Sequence, residues 1–199
     1  MLPLLLISAF AALAQAPANK LMDPSKLAEK APEKFKARFT TAKGEFVIAV
    51  TRAWSPLGAD RFYNLVKNGF YDGCGFHRVH TGFVAQFGLN GNPAVQAKWE
   101  KATLKDEPVK RSNTLGLVAF TADGANSRST QIYVNLKDNT FLDKQGFPPF
   151  GDVVQGIGAL GTLKAVGDKP NQQTIIKQGN AYLKRSFPDM DYVKKAVIE

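Results

Sequence analysis

One short stretch of the chain gathers residue types that could act on a polar but uncharged bond. It runs from Phe70 to Gly88 and reads FYDGCGFHRVHTGFVAQFG. Arg78 stands there among apolar and aromatic residues, with Phe83 and Gln86 a few positions later. A guanidinium stays protonated and presents fixed donors, so this pattern suggests a site that binds an apolar group and polarises an amide. The same residues would also suit a surface arginine whose stem covers apolar side chains.

Other kinds of active site find little support in the sequence. Cys74, His77 and His80 could suggest zinc, but they are only three ligands, and an extended strand would turn His77 away from the other two. A nucleophilic hydrolase needs a base, yet the only two histidines are neighbours and no G-x-S-x-G occurs. Gly156–Gly161 fits G-x-G-x-x-G, but residues 174–185 hold no acid for a ribose. We therefore expect no metal and no cofactor.

Composition places the chain among ordinary globular proteins with one domain or at most two. It has 199 residues, of which 44% are hydrophobic and 22% charged. Its single cysteine, Cys74, permits no intramolecular disulfide. The net charge of +9 could indicate an anionic partner. However, the basic residues are scattered and form only pairs such as Lys184-Arg185, so we expect no nucleic-acid partner.

The first residues predict export. The run from Leu2 to Ala14 is apolar and uncharged, about as long as a signal-peptide core and too short to span a bilayer. Ala12-Leu13-Ala14 is a small-x-small site, so cleavage is expected between Ala14 and Gln15. We assign residues 1–14 to a signal peptide and expect a bacterial periplasmic protein without stable membrane insertion. An uncleaved N-terminal anchor is the alternative.

The elements that must position Arg78 are predicted to be short strands and one helix. Residues 35–50 favour two strands, and Ser55 followed by Pro56 begins a helix that stops at Gly69. The stretch around Arg78 then favours strand, turn and strand, with the turn at Thr81-Gly82. In an extended segment, Arg78 would share a face with Phe76 and His80.

The rest of the chain supplies further short elements. Strands are expected at 115–120, 131–135 and 152–154, with closing strands at 174–176 and 181–183; a functional surface loop is expected at 89–112 and a second helix at 156–166. A linker at 15–34 and a helical tail at 185–199 would flank one domain at 35–184. Many short strands with two distant helices indicate a mostly antiparallel β-barrel or sandwich.

The stretch from Phe70 to Gly88 resembles the signature of the cyclophilin-type peptidyl-prolyl cis-trans isomerases. The matching motifs are Tyr71-Asp72, Phe76-His77-Arg78-Val79, Gly82-Phe83-Val84 and Gln86-Phe87-Gly88. Further matches extend the resemblance from about Phe39 to Tyr182, including Phe62-Tyr63-Asn64-Leu65, Ser129–Tyr133, Phe141-Leu142-Asp143 and Phe150-Gly151.

The resemblance implies a closed eight-stranded antiparallel β-barrel capped by two α-helices. It also implies a monomeric isomerase that needs no cofactor. Its substrates would be proline-containing segments of unfolded or folding proteins, here exported ones. The alternative on the same fold is a non-catalytic module that binds proline peptides as a chaperone.

The resemblance further implies a role for individual residues. Arg78 and Gln86 would be catalytic, the arginine acting on the prolyl amide and the glutamine bonding the substrate backbone. The substrate-binding residues would be Phe83, Val84, Thr121, Ala122, Gln131, Tyr133, Phe141, Leu142 and Phe147.

The sequence departs from the family pattern in four places. Phe87-Gly88-Leu89 replaces the usual GGD, and Tyr133 stands where phenylalanine is common. Phe141 occupies a position that is often tryptophan and that governs cyclosporin binding, so tight cyclosporin binding is not expected. Phe147 falls near a usual histidine. Each pocket change keeps an aromatic side chain, so proline binding should survive.

Overall fold

The fold is built on one antiparallel sheet of eight short strands. The computed structural model describes residues 20–199, and the predicted signal peptide lies outside them. The strands are β1 (Lys34–Thr41), β2 (Gly44–Thr51), β3 (Arg78–His80), β4 (Val84–Phe87), β5 (Leu117–Phe120), β6 (Ile132–Asn135), β7 (Pro149–Gln155) and β8 (Val193–Ile198).

These strands are ordered β3-β4-β6-β5-β7-β2-β1-β8, and each neighbouring pair is antiparallel. The mostly-β class and the eight antiparallel strands are thus confirmed. β3 and β8 stand at opposite ends of the order and form no ladder with each other within residues 20–199. The sheet is therefore an open half-barrel, and the predicted closure is not confirmed.

Within residues 20–199, five α-helices accompany the sheet, more than the two predicted. They are α1 (Pro56–Lys67), α2 (Pro93–Glu100), α3 (Ile157–Gly161), α4 (Gln172–Gln178) and α5 (Asn180–Ser186). α1 begins at Pro56 as the sequence predicts, but the Ser55 side chain does not cap it. Instead the Glu107 carboxylate accepts hydrogen bonds from the backbone N–H groups of Leu57 and Gly58 at 2.8 and 3.1 Å. A distant acid thus satisfies the start of the helix.

Two internal segments differ from the sequence expectation. The predicted loop at 89–112 contains α2, whose start is capped by the Asn92 side chain accepting from the Ala94 N–H at 2.9 Å. Both predicted closing strands, at 174–176 and 181–183, are wrong because these residues lie in α4 and α5. α4 contacts α2, and this tertiary packing prevails over the strand propensity of the β-branched residues.

The predicted helical tail is also wrong. Val193–Ile198 forms β8, which pairs with β1 and places Ala196 opposite Phe39. Val193 and Ala196 are buried in the core. The segment predicted as a linker, in which the sequence also suggests a short helical turn at residues 25–30, contains 3₁₀ turns at Lys20–Met22 and Pro24–Lys26. The Trp99 indole donates a hydrogen bond to the Leu21 carbonyl at 2.8 Å.

The main core is strongly aromatic. Several completely buried aromatic side chains contact one another there through stacked, tilted and edge-on rings; they are Phe39, Phe62, Tyr71, Phe87 and Phe150. A second, smaller apolar cluster lies apart from this core, on strands β4, β5 and β6 and the segment that precedes β7. This smaller cluster carries several of the predicted site residues.

Candidate active site

The β3–β4 hairpin brings Arg78 beside Gln86. These two residues are directly opposite in the antiparallel register, and Arg78 Nη1 lies 3.5 Å from Gln86 Oε1. The turn between them contains Gly82 with φ +64°, a left-handed conformation that glycine adopts readily. The Phe83 N–H closes the turn by donating to the His80 carbonyl at 3.0 Å. The predicted strand–turn–strand around Arg78 is confirmed.

The Arg78 side chain is held from two sides and remains 27% exposed. Its guanidinium carbon lies 5.5 Å from the centre of the Phe83 ring, a cation–π contact. Its Nε donates to Asp168 Oδ1 at 2.5 Å, and Asp168 Oδ2 lies 2.8 Å from His80 Nε2. The hydrogen bond from Arg78 lowers the pKa of Asp168. Sequence reasoning did not find Asp168, which lies far from the motif.

The prediction that Phe76, Arg78 and His80 share one face of the strand is only partly correct. Arg78 and His80 lie on the same, partly exposed face of β3, whereas Phe76 is buried and packs on Phe87 with ring centres 4.8 Å apart. The reason is that β3 begins only at Arg78, because the His77 N–H donates to the Gly75 carbonyl at 2.9 Å and bends the preceding backbone.

A small amide network backs the polar wall of the site. Gln131 Oε1 accepts a hydrogen bond from Gln86 Nε2 at 2.9 Å and lies 3.1 Å from His77 Nε2. Since this oxygen can only accept, we assign the proton of His77 to Nε2. Burial lowers the pKa of His77 to about 4, against the opposing effect of Gln131. His77 is therefore neutral near pH 7 and orients Gln131.

Another wall of the cavity is apolar. Val84, Tyr133 and Leu142 are buried there, with Phe83 and Phe147 packed against them. The Tyr133 ring meets Phe147 edge-on at 6.0 Å. Phe141 stacks on Phe83 with ring centres 6.1 Å apart and an interplanar angle of 14°, while remaining 51% exposed. Such a wall suits a flat or cyclic apolar group.

One hydrogen bond fixes the ring of Tyr133 in this wall. Its hydroxyl donates to Asn113 Oδ1 at 2.8 Å. Asn113 is itself held by Asp143, whose Oδ1 accepts from both the backbone N–H and the Nδ2 of Asn113 at 2.8 Å. Burial raises the pKa of Tyr133, so its hydroxyl stays protonated. The tyrosine that stands where phenylalanine is common thus has its own polar partner.

All of the predicted site residues line one cavity of about 830 Å³. They are Arg78, Phe83, Val84, Gln86, Thr121, Ala122, Gln131, Tyr133, Phe141, Leu142 and Phe147. The Thr121 N–H donates to the Gln131 carbonyl at 2.9 Å, which fixes the start of the loop after β5.

The cavity also has lining residues that sequence reasoning did not assign to the site. His77 lies within the quoted motif, but its role in holding Gln131 required the fold. Further examples are Asp168 and the α2 and α4 side chains Gln96, Glu100, Gln172, Gln173 and Ile176. No local pattern marks them, because they come from distant segments that meet only in the folded chain.

The described part of the chain shows no cluster of side chains suited to bind a metal ion. Across residues 20–199, no group of three His, Cys, Asp or Glu side chains could hold a metal ion. Cys74 is buried, and burial raises the pKa of its thiol. Over the same residues, no helix is long and apolar enough to cross a membrane.

Sequence comparison identifies the family. A family model described as cyclophilin type peptidyl-prolyl cis-trans isomerase/CLD matches residues 36–180. The chain belongs to this family. As a cyclophilin it is similar to peptidyl-prolyl cis-trans isomerase A of Dickeya dadantii, with 34% identity over 139 residues that cover 64% of this chain and 70% of the relative. It is also similar to isomerase B of Escherichia coli, with 30% identity over 156 residues that cover 70% of this chain and 94% of the relative.

Solved cyclophilin structures share the fold. A cyclophilin-type isomerase of Cryptosporidium parvum superposes with a TM-score of 0.64 at 19% identity, covering 83% of this chain and 98% of that one. A cyclophilin from Hirschia baltica gives a TM-score of 0.63 at 16% identity, covering 85% of this chain and 75% of that one. At these identities the likeness concerns the fold alone, and the residue-level geometry comes from this cyclophilin itself.

Proposed function

We propose that this cyclophilin rotates X-Pro peptide bonds in the cavity between Arg78 and the apolar wall. The observation that carries the proposal is the placement of the Arg78 guanidinium. It lies over Phe83 and beside Gln86 in a cavity that is also lined by aromatic and aliphatic side chains. This pairing of a fixed cation with an apolar pocket suits a substrate with a ring on one side of an amide.

The chemistry follows from the electronic structure of the prolyl amide. Resonance makes the bond stiff, and its rotation crosses a barrier of roughly 20 kcal/mol. Twisting the bond ends the resonance and leaves a lone pair on the prolyl nitrogen. Arg78 is always charged, and it would stabilise the twisted amide by donating a hydrogen bond toward this lone pair. No nucleophile, proton transfer or cofactor is required.

The arginine alone cannot supply the whole acceleration. A charged hydrogen bond is worth about 1.5–3 kcal/mol, whereas a hundred-thousand-fold acceleration needs about 7 kcal/mol. The rest would come from orientation of the flanking backbone by Gln86 and from exclusion of water, while the apolar wall anchors the prolyl ring so that its amide lies at Arg78. The side chains that would contact the prolyl ring are those of Phe83, Val84, Tyr133, Phe141, Leu142 and Phe147. The residues that would contact the peptide backbone are Thr121, Ala122 and Gln131.

The substrate class follows from this geometry and from the family. A Cryptosporidium parvum relative was solved in the presence of the dipeptide Ala-Pro, which supports proline-containing segments as ligands here. The apolar N-terminal run supports export to a bacterial periplasm, where a monomeric isomerase would assist the folding of exported proteins.

The deciding experiment measures isomerase activity on a proline peptide with the wild type and with Arg78→Ala. We expect kcat/KM to fall by about 10²–10³-fold, as for loss of one preorganised donor, with an unchanged melting temperature. Arg38→Ala is the matched control, because Arg38 makes surface ion pairs with Glu45 and Glu199 and does not line the cavity. Near-normal activity in Arg78→Ala would refute the arginine mechanism. A wild type that binds proline peptides without isomerising them would favour the chaperone module.

Export is tested separately. Expression of the full chain in a bacterial host should yield a periplasmic protein whose mass shows cleavage between Ala14 and Gln15. Retention of residues 1–14 in a membrane fraction would instead indicate the uncleaved anchor.

A further inference from the structure

Asp168 makes a contact with Arg78 that the proposed mechanism does not yet use. Its Oδ1 accepts from Arg78 Nε at 2.5 Å, and its Oδ2 lies 2.8 Å from His80 Nε2. Both partners belong to β3 and lie on the same face of the strand, and Arg78 lines the cavity. A single carboxylate therefore links the arginine to the other polar side chain on the same face of the strand.

The position of this carboxylate is fixed by the backbone next to it. The Gly167 N–H donates to the Val79 carbonyl at 3.0 Å, and these two residues form an antiparallel bridge. Val79 lies between Arg78 and His80 in the chain. The loop that carries Asp168 is thus attached to β3 at the point where the arginine projects.

The ion pair between Asp168 and Arg78 should add little to the stability of the fold. The Asp168 side chain is 67% exposed, and exposed ion pairs contribute little to the free energy of unfolding. Its geometric effect is larger, because the hydrogen bond occupies Nε and restricts the flexible arginine stem. The terminal amino groups are then left for the cavity, with Nη1 on the side of Gln86.

We propose that Asp168 is a positioning residue of this active site, which holds Arg78 by its Nε so that its terminal amino groups face the prolyl amide. The proposal rests on the proposed function of Arg78. His80 shares the carboxylate and completes its orientation. Arg78 and His80 are the charged or titratable partners of Asp168 among the described residues.

The test compares Asp168→Ala and Asp168→Asn in the proline-peptide assay. Alanine removes the acceptor, and we expect kcat to fall about tenfold with KM changed by less than twofold, because ring binding does not involve Asp168. Asparagine keeps an oxygen that can accept from Arg78 Nε, so it should retain activity within about threefold of the wild type. Asp23→Ala is the control, since Asp23 pairs with Lys26 on the surface away from the cavity.

A double-mutant cycle separates positioning from a general structural effect. In an Arg78→Ala background, Asp168→Ala should cost no further activity, because its effect passes through the arginine. An equal tenfold loss in both backgrounds, or a wild-type kcat in Asp168→Ala, would overturn the proposal. If Arg78→Ala itself keeps full activity, the arginine mechanism fails and the positioning role fails with it. If Arg78→Ala is impaired and Asp168→Ala is not, only the positioning role fails.

Discussion

The two walls of the active-site cavity are held by different forces. On the apolar wall, Val84, Tyr133 and Leu142 are fixed by burial and close packing. On the polar wall, Arg78 and Gln86 are oriented by hydrogen bonds to Asp168 and Gln131. The energy of apolar packing depends little on the orientation of the groups, whereas a hydrogen bond is lost when its donor or acceptor rotates away. The apolar wall should therefore set affinity for the ring, and the polar wall should set the rate.

The largest expected effect concerns the buried member of the polar wall, His77. The pKa of a histidine in the unfolded chain is near 6.5, and burial lowers it to about 4 in the folded protein. Between these values the unfolded chain binds a proton that the folded protein does not, so falling pH destabilises the fold. From pH 6.5 to pH 4, His77 should lower the free energy of unfolding by about 3 kcal/mol.

Denaturant unfolding at several pH values measures this contribution. Acidic side chains titrate in the same range, so the informative quantity is the difference between the wild type and His77→Gln, which retains a donor for Gln131. The variant should lose about 3 kcal/mol of the pH dependence, whereas the surface variant Gln178→Ala should keep it. Parallel pH curves for the wild type and His77→Gln would show that His77 is not a buried neutral base.

The next effect tests the apolar wall through Phe83→Ala. This change removes a ring that packs on the wall, stacks on Phe141 and lies under Arg78. Loss of the contact with a prolyl ring should cost about 2 kcal/mol, or roughly 30-fold in kcat/KM, mainly through a higher KM. Steady-state kinetics on a proline peptide distinguish this from a loss of kcat. Phe83→Leu should recover most of the affinity, and a pure kcat effect would contradict the division between the walls.

A smaller effect is expected for Gln86→Ala. The change removes the hydrogen bond to Gln131 and the amide beside Arg78. One hydrogen bond contributes about 1 kcal/mol, so we expect a five- to tenfold lower kcat and a nearly unchanged KM. Gln178→Ala serves as a control, because Gln178 bonds Arg185 on the surface. A selective rise in KM would place Gln86 with the binding residues instead.

The smallest effect should come from Tyr133→Phe. The hydroxyl donates to Asn113 Oδ1 at 2.8 Å, and Asn113 Oδ1 keeps a second donor in Asn135 Nδ2 at 3.2 Å. The ring itself stays in place, so activity should remain within twofold. Thermal unfolding should show a loss of about 1 kcal/mol in the free energy of unfolding. A tenfold loss of activity would mean that the hydroxyl acts on the substrate.

The local parts of the site could be predicted from the sequence. The β3–β4 hairpin was accessible because its turn and the spacing of Arg78, Phe83 and Gln86 lie within a single motif. The family resemblance identified more distant lining residues such as Tyr133 and Phe141. Asp168 was not accessible, because nothing in its own surroundings marks it and only the bridge between Gly167 and Val79 brings it to the arginine.

The tail shows why a sequence period can mislead. The residues that bury themselves in β8 are Val193 and Ala196, three positions apart, which is a helical spacing. The cause is an irregularity in the ladder, where Thr40 opposes Lys195 and Thr41 opposes Val193, so that Lys194 is an extra residue. A β-bulge changes the alternation of a strand by one residue. Buried residues three positions apart are therefore compatible both with a helix and with a strand that contains a bulge.

The pairing of β8 with β1 has a consequence for biosynthesis. β1 (Lys34–Thr41) leaves the ribosome long before one of its two neighbours in the sheet, β8 (Val193–Ile198), because most of the half-barrel lies between them in the chain. Until then, one edge of β1 presents unpaired backbone groups that invite association with other chains. We therefore expect the emerging polypeptide to be prone to association until β8 is made, because its sheet can be completed only after residue 198 has cleared the exit tunnel.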